Sequence, residues 1–251
     1  MKRKTPDGFT LVELLATIAI IGVLSGILIV VIGRARDKAK STQCLSNLRQ
    51  ITLAMIAYTG ENKGRLPAQQ TTVDGQPFTW RARLLPYLGD NKSMEVFLCP
   101  ADDIGRASIS PPYDMAYITR TGVMPASYGP AVVWYYISSG TLPYPGAYTG
   151  EYRINTIAKP ASTLFVTDTG RPANISLPPE QWTETSRFPT TQFSESVMPS
   201  VYYSNAWTAY PRHGGDKVNS AFFDGHAAVV SIQELRDNTP GNPNCLYWPY
   251  R

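Results

Sequence analysis

The side chains in this 251-residue chain that could bind a metal or move a proton are concentrated near its C-terminal end. His213, Asp216, Asp224 and His226 lie close together in sequence, and imidazoles with carboxylates are common ligands for zinc and other transition metals. Each residue also has a plainer role. His226 follows a turn glycine, where a strand side chain faces solvent, and His213 is placed to anchor a loop by hydrogen bonding to a strand backbone. Asp168, Asp216 and Asp224 could gather around calcium, which takes several oxygen ligands, but no calcium-loop spacing is visible. Asp224 followed by Gly225 supplies the positive backbone angles of a type I′ turn. No metal or other cofactor is therefore assigned. A nucleophile paired with a base is not recognisable either, since GxSxG is absent and neither histidine has a serine or cysteine at a defined offset. The chain reads as a non-enzyme.

The elements that must position these residues begin with an apolar run. From Leu11 to Ile32 the only polar residues are Glu13, Thr17 and Ser25. Twenty-two residues at about 1.5 Å rise give about 33 Å, against a hydrocarbon core of about 30 Å. The run is long enough to span a bilayer. Lys2, Arg3 and Lys4 precede it and favour a cytoplasmic start, while Arg34, Arg36, Lys38 and Lys40 follow it, so charge alone leaves the orientation open. No small-residue cleavage site follows the run, so it stays attached. Glu13, three residues into the run, is the anomaly: a carboxylate costs about 2.5 to 3.5 kcal/mol at the centre of a membrane helix and less near the interface, so it either calls for a cation or lies solvated at headgroup depth.

Beyond Arg34, Ala35, Ala39, Leu45, Leu48, Ile51, Met55 and Tyr58 recur at helical spacing, and no proline intervenes before Pro67. One helix from Phe9 to about Thr59 is expected, closed by Gly60 and Gly64. From Asn62 onward Pro, Gly, Tyr, Thr and Ser separate short β-branched or aromatic runs. Strands are expected at Val132–Ile137, Thr163–Thr167, Val218–Phe223 and Ala227–Ser231, the last two joined as a hairpin by Asp224 and Gly225. A short helical turn over 84–88 precedes the apolar run Val96–Leu98, and 169–212 reads as an extended surface excursion. The fold class is α+β. With 43% hydrophobic residues the chain can bury a core, and its net charge of +4 is scattered without a basic run, so nucleic acid is not an expected partner.

Residues 8–15 read GFTLVELL after a short basic leader, and this resembles the prepilin-type processing site of type IV pilins and type II secretion pseudopilins. The resemblance implies cleavage by prepilin peptidase after Gly8, N-methylation of Phe9, and pairing of Glu13 with the N-terminal amine of a neighbouring subunit during filament assembly. Cleavage would remove three positive charges and one negative, taking the net charge from +4 to +2. CLSNLRQI at 44–51, VFLCPADD at 96–103, STLFVTD at 162–168 and RHGGDKVNSAFFDGHA at 212–227 are similar to a subgroup of pilin-like proteins with a C-terminal histidine-to-Asp-Gly module of the DUF1559 kind. That pattern has nine residues between histidine and Asp-Gly, whereas ten separate His213 from Asp224; the extra residue is expected in the Gly214–Lys217 turn or at a bulge.

These readings give a leader at 1–8, a transmembrane helix at 9–33, its amphipathic continuation at 34–60 and a β-rich head at 61–251, with an antiparallel sheet packed on the helix's second half. The expected location is the inner membrane, single-pass, with a cytoplasmic N-terminus and periplasmic head. The expected partners are prepilin peptidase, other pilin or pseudopilin subunits, the inner-membrane assembly machinery and the lipid bilayer. In an oxidising periplasm Cys44, Cys99 and Cys245 would form one disulfide and leave one thiol. Cys44 with Cys99 is favoured because it would staple the helix to the head, although three pairings, and three reduced thiols, stay open. Two rivals remain. A membrane-anchored binding module that never polymerises would use the fifteen tyrosines as contacts, and a metal hydrolase would centre on His213 and His226.

Overall fold

The structure is a computed structural model that describes residues 10–67, 70–73, 76–89, 95–103, 127–130, 153–157, 159–170, 172–174, 177–184 and 208–237. It divides into two compact units, Met1–Ala39 and Lys40–Arg251. One helix, α1 (Leu11–Glu61), runs without a break across that boundary. This is the continuous helix expected from the sequence, displaced by two residues.

In the first unit, from Leu14 to Gly33, α1 has no charged residue and no polar face, and the large apolar side chains from its first turn onward stand open, from 47% exposed at Ile32 to 74% at Leu11. A helix with no polar face is suited to lipid or to other apolar helices, and this one is long and apolar enough to cross a membrane.

In the second unit α1 changes character. Cys44, Leu48, Ile51 and Met55, spaced four, three and four apart, are fully buried on one face. The expected face is corrected at its start, since Ala35 and Ala39 are exposed and burial begins at Ser41. Polar Ser41, Asn47, Thr52 and Thr59 share the buried side. The helix ends in a Schellman-type cap: Gly64 N–H donates to Thr59 O at 2.7 Å, and Lys63 takes the left-handed conformation with φ of 56°.

The head is built on a five-stranded antiparallel sheet. β3 (Tyr128–Pro130), β4 (Leu164–Gly170), β6 (Lys217–Phe222) and β7 (Ala227–Ser231) lie in that order, and β5 (Thr208–Ala209) also pairs with β4. A separate hairpin joins β1 (Gln70–Val73) to β2 (Gln76–Thr79), a pair the sequence reading did not include. Next come α2 (Trp80–Leu84) and a 3-10 turn at Leu85–Tyr87, close to the expected helical turn; α3 (Ile232–Asp237) follows β7. Trp80 meets Phe97 and Phe165 edge-on at 5.8 and 5.9 Å, and Phe165 meets Phe223 at 5.1 Å. These rings and the buried face of α1 belong to one core.

Every residue of β4 is buried, including Thr167, Asp168 and Thr169. The expected strand at Thr163–Thr167 thus extends to Gly170, and the excursion expected at 169–212 begins as central sheet. Val132–Ile137 lies outside the described residues, as does 185–207. The run Val96–Leu98 forms a turn, with Leu98 N–H donating to Glu95 O at 3.0 Å.

The β6–β7 hairpin is present, but its turn is corrected. Phe222 and His226 exchange a backbone bond, Phe222 N–H to His226 O at 3.0 Å, and Gly225 N–H donates to Phe222 O at 3.0 Å. This leaves a three-residue loop in which Gly225 has φ of 98° and Asp224 does not have positive φ, so it is not type I′. β6 pairs with β7 without a register shift, and the bulge lies in β4 between Leu164 and Val166. The ten-residue spacing is accommodated before β6, where Gly214 and Gly215 have φ of 92° and 63°.

Gly170 ends β4 in a tight place. A Cβ there would stand 2.5 Å from Glu184 Oε1 and 2.6 Å from Tyr210 Cγ. Gly170→Ala is expected to destabilise the head by about 1 to 3 kcal/mol through overpacking, read as a lower denaturation midpoint in detergent-solubilised full-length chain. An unchanged midpoint would show that Tyr210 and Glu184 yield freely.

Candidate functional site

At the start of α1, Thr10 and Glu13 form a reciprocal capping box. Thr10 N–H and Thr10 Oγ1 donate to Glu13 Oε2 at 2.9 and 2.7 Å, while Glu13 N–H donates to Thr10 Oγ1 at 3.3 Å. Free amide donors at a helix start attract such an acceptor. The sequence reading gave Glu13 a role between subunits; within the chain it caps its own helix. Gly8 and Phe9 lie outside the described residues.

The head gathers a second set of groups from four places. Cys44 comes from α1, Cys99 from the segment after the Glu95–Leu98 turn, Asp168 from the middle of β4, and His213 from the segment between β5 and β6. Cys44 and Cys99 are joined as a disulfide, with Cα atoms 5.4 Å apart. His213 Nε2 lies 3.3 Å from Cys99 Sγ and 3.4 Å from Asp168 Oδ2. Both side chains are sealed from solvent, His213 at 3% and Asp168 at 0% exposed. His213 therefore faces a carboxylate and a sulfur through its Nε2.

Asp168 is held by more than His213. Asn219 N–H donates to its Oδ2 at 2.8 Å, whereas its Oδ1 is buried without a hydrogen-bond partner. Burial pushes its carboxyl up to about 7; Arg212 and the Asn219 N–H oppose that push, and Asp102 and Glu184 reinforce it. Arg212 is the principal cation. Its Nη2 lies 2.6 Å from Glu184 Oε1 and 3.6 Å from Asp102 Oδ2, also donates to Thr169 O, and its Nη1 donates to Ser127 O at 3.3 Å. Arg81, pushed down to about 10 by burial, donates to Tyr128 O at 3.1 Å. Arg212 and Asp102 lie within the sequence blocks that carry the family resemblance, with no role expected for either, and no spacing pattern marks Glu184 or Arg81.

The remaining candidates lie elsewhere. His226 is 43% exposed in its side chain, stacks on Phe222 with ring centroids 4.3 Å apart, and has its Nδ1 2.6 Å from Asp224 Oδ1. Burial is the largest single influence on Asp224 and pushes its carboxyl up, but the His226 N–H and ring bonds, with the His226 charge, together outweigh it and hold the carboxyl below the ordinary value. Asp216 contributes its backbone oxygen, which accepts from Ile232 N–H at 2.7 Å. Among the described residues, the group of metal-ligand side chains close enough to share an ion is Cys44, Cys99, Asp168 and His213, with ligand atoms within 4.8 Å of one another. It contains neither His226, Asp216 nor Asp224, so neither the paired-histidine centre nor the three-aspartate calcium site is brought together.

Residues 33–176, a little over half of the chain, match the family model described as protein of unknown function (DUF1559). The chain belongs to this family. The match takes in Cys44, Cys99 and Asp168 and ends before His213. Residues 3–29 match the prokaryotic N-terminal methylation motif, which marks a pilin-like precursor. Comparison with curated proteins and with solved structures finds no match. This DUF1559 protein thus joins a pilin-type N-terminus, fitting a single-pass anchor, to an α+β head whose buried charges meet its disulfide.

The Asp168 carboxyl gives a pH signature. Its folded value of about 7 exceeds the ordinary 3.8, so the folded chain holds a proton that the unfolded chain releases. The stability from this group is full below about pH 4 and is lost as pH rises through about 7. Asp168→Asn is expected to flatten this loss, read from denaturant unfolding of the oxidised chain between pH 4 and 8. An equally steep fall in the variant would assign the pH dependence to another group.

Proposed function

We propose that this chain is a filament-forming pilin-like subunit. Prepilin peptidase would cut after Gly8, Phe9 would become the methylated N-terminus, and α1 would carry the periplasmic head into a type IV pilus or type II secretion filament. The observation that carries this reading is the methylation motif on a helix that has no polar face from Leu14 to Gly33 and whose second half is buried in the head.

The mechanism follows from those two halves. Residues Leu11–Ile32 hold the precursor in lipid, and on assembly they exchange lipid for the matching helices of other subunits. Without a hydrophobic gain over lipid, that exchange is driven by close packing, and Gly22, Gly26 and Gly33 have nothing within 4 Å of a Cβ position, so a neighbour can approach there. Glu13 then sets axial register. Both Thr10 bonds fall on its Oε2, which leaves Oε1 to receive the Phe9 amine of an adjacent subunit. A charge pair away from water selects one stagger among many and contributes specificity more than strength.

Mass spectrometry of the N-terminal peptide from native membranes tests processing. A start at Phe9 carrying one methyl is expected; a start at Met1 would overturn the reading and leave a permanently anchored binding module. Glu13→Leu is expected to leave cleavage intact and to reduce sedimentable filaments at least tenfold. Filaments at the original level would remove Glu13 from assembly.

A further inference from the structure

We propose that Cys44, Cys99, Asp168 and His213 form, when the disulfide is opened, a four-ligand site for a zinc-like divalent cation. The inference stands apart from filament formation, and it begins with donor type. Two thiolates, one imidazole and one carboxylate are the mixed sulfur, nitrogen and oxygen set that tetrahedral zinc accepts.

The spacing supports it. Zinc bond lengths of about 2.0 to 2.3 Å place neighbouring ligands of a tetrahedron about 3.3 to 3.8 Å apart. His213 Nε2 already stands 3.3 Å from Cys99 Sγ and 3.4 Å from Asp168 Oδ2, so two edges of that tetrahedron are present. The two sulfurs must separate, and all four ligand atoms already lie within 4.8 Å of one another. Asp168 offers a further sign: Oδ2, the oxygen that faces His213, is held in place by Asn219 N–H, and the carboxylate's other oxygen, Oδ1, is buried with no hydrogen-bond partner. Metal-bound carboxylates are commonly held in this way by a second hydrogen bond.

The chemistry balances in two steps. A dithiol reductant gives two electrons and two protons to the Cys44–Cys99 bond and becomes a disulfide itself. Zn²⁺ then displaces the two thiol protons to solvent and binds both sulfurs. Because the same sulfurs serve both states, disulfide and metal exclude each other. Either state ties Cys44 on α1 to Cys99 in the head, so the helix stays fastened in reducing and oxidising surroundings alike.

The test uses full-length chain in detergent with Cys245→Ser, so that only Cys44 and Cys99 supply thiols. Reduction is by a phosphine, which takes up the oxygen of water as its oxide and competes little for metal. With Zn²⁺ alone as probe, the reduced chain is expected to bind one equivalent and the oxidised chain none. His213→Ala and Asp168→Asn are each expected to weaken binding by at least about 100-fold. X-ray absorption at the zinc edge of the unmutated site reads the ligands even if a variant fails to fold. Two sulfurs with two lighter atoms are expected. No uptake by the reduced chain, uptake unaffected by His213→Ala, or a shell without two sulfurs would overturn the proposal.

Discussion

The second half of α1 imposes the constraint on which the head depends. Leu48, Ile51 and Met55 are fully buried, and each such side chain contributes about 1.5 to 3 kcal/mol when removed from water. No isolated helix could bury them, so the sheet and the Trp80, Phe97 and Phe165 rings must supply the other wall of the core. The helix is therefore part of the head's core as well as its connection to the apolar segment. At the β6–β7 turn the contact is close: a Cβ on Gly225 would lie 3.4 Å from Ile56 Cδ1.

Polar groups buried beside that apolar wall fix its register. Ser41 and Asn219 exchange hydrogen bonds at 3.4 and 3.3 Å, Asn47 Nδ2 donates to Leu98 O at 3.2 Å, and Thr167 Oγ1 donates to Asn219 O at 3.0 Å. Apolar contacts tolerate sliding, whereas a buried amide or carboxylate that loses its partner costs about 1 to 3 kcal/mol. Asp168 is the extreme case. A one-residue slip of β4 would turn it to the other face and strand it away from Asn219, His213 and Arg212. The unfavourable burial of one carboxylate thus selects a single alignment of α1, β4 and β6.

The legible parts of this fold were those with a long or local signal. An apolar run over Leu11–Ile32 and an amphipathic repeat after it together mark α1, and alternating β-branched runs around Asp224–Gly225 mark β6 and β7. What escaped was set by tertiary packing. β4 stopped at Thr167 in the sequence because Asp168 and Thr169 look like the end of an apolar run; in the sheet they are covered on both faces. Arg212 and Asp102 lie in the blocks that carry the family resemblance and Glu184 in none, yet the burial of all three is illegible in sequence, since charged residues are ordinarily exposed and only the fold reveals which are not. At Glu13 two signals overlap: the Thr10-x-x-Glu13 spacing of a capping box lies at the head of an apolar run, and the run is the stronger of the two. His213 and Asp168 are each ligand types, yet their union with two cysteines far upstream in the chain is a product of topology.

The position of the covalent tie along α1 has mechanical meaning. Burial of the helix in the head starts at Ser41, and Cys44 lies one turn further on, far ahead of the end at Glu61. A pull on the N-terminal part of α1 would peel it from the head beginning at Ser41, loading one contact after another. A link at Cys44 stops that process at its first turn, before Leu48, Ile51 and Met55 are disturbed. Those later contacts then bear the load together, which is how many weak interactions resist a force that would defeat them singly. A link near Glu61 would close an equally real loop but would leave the whole apolar face to open first.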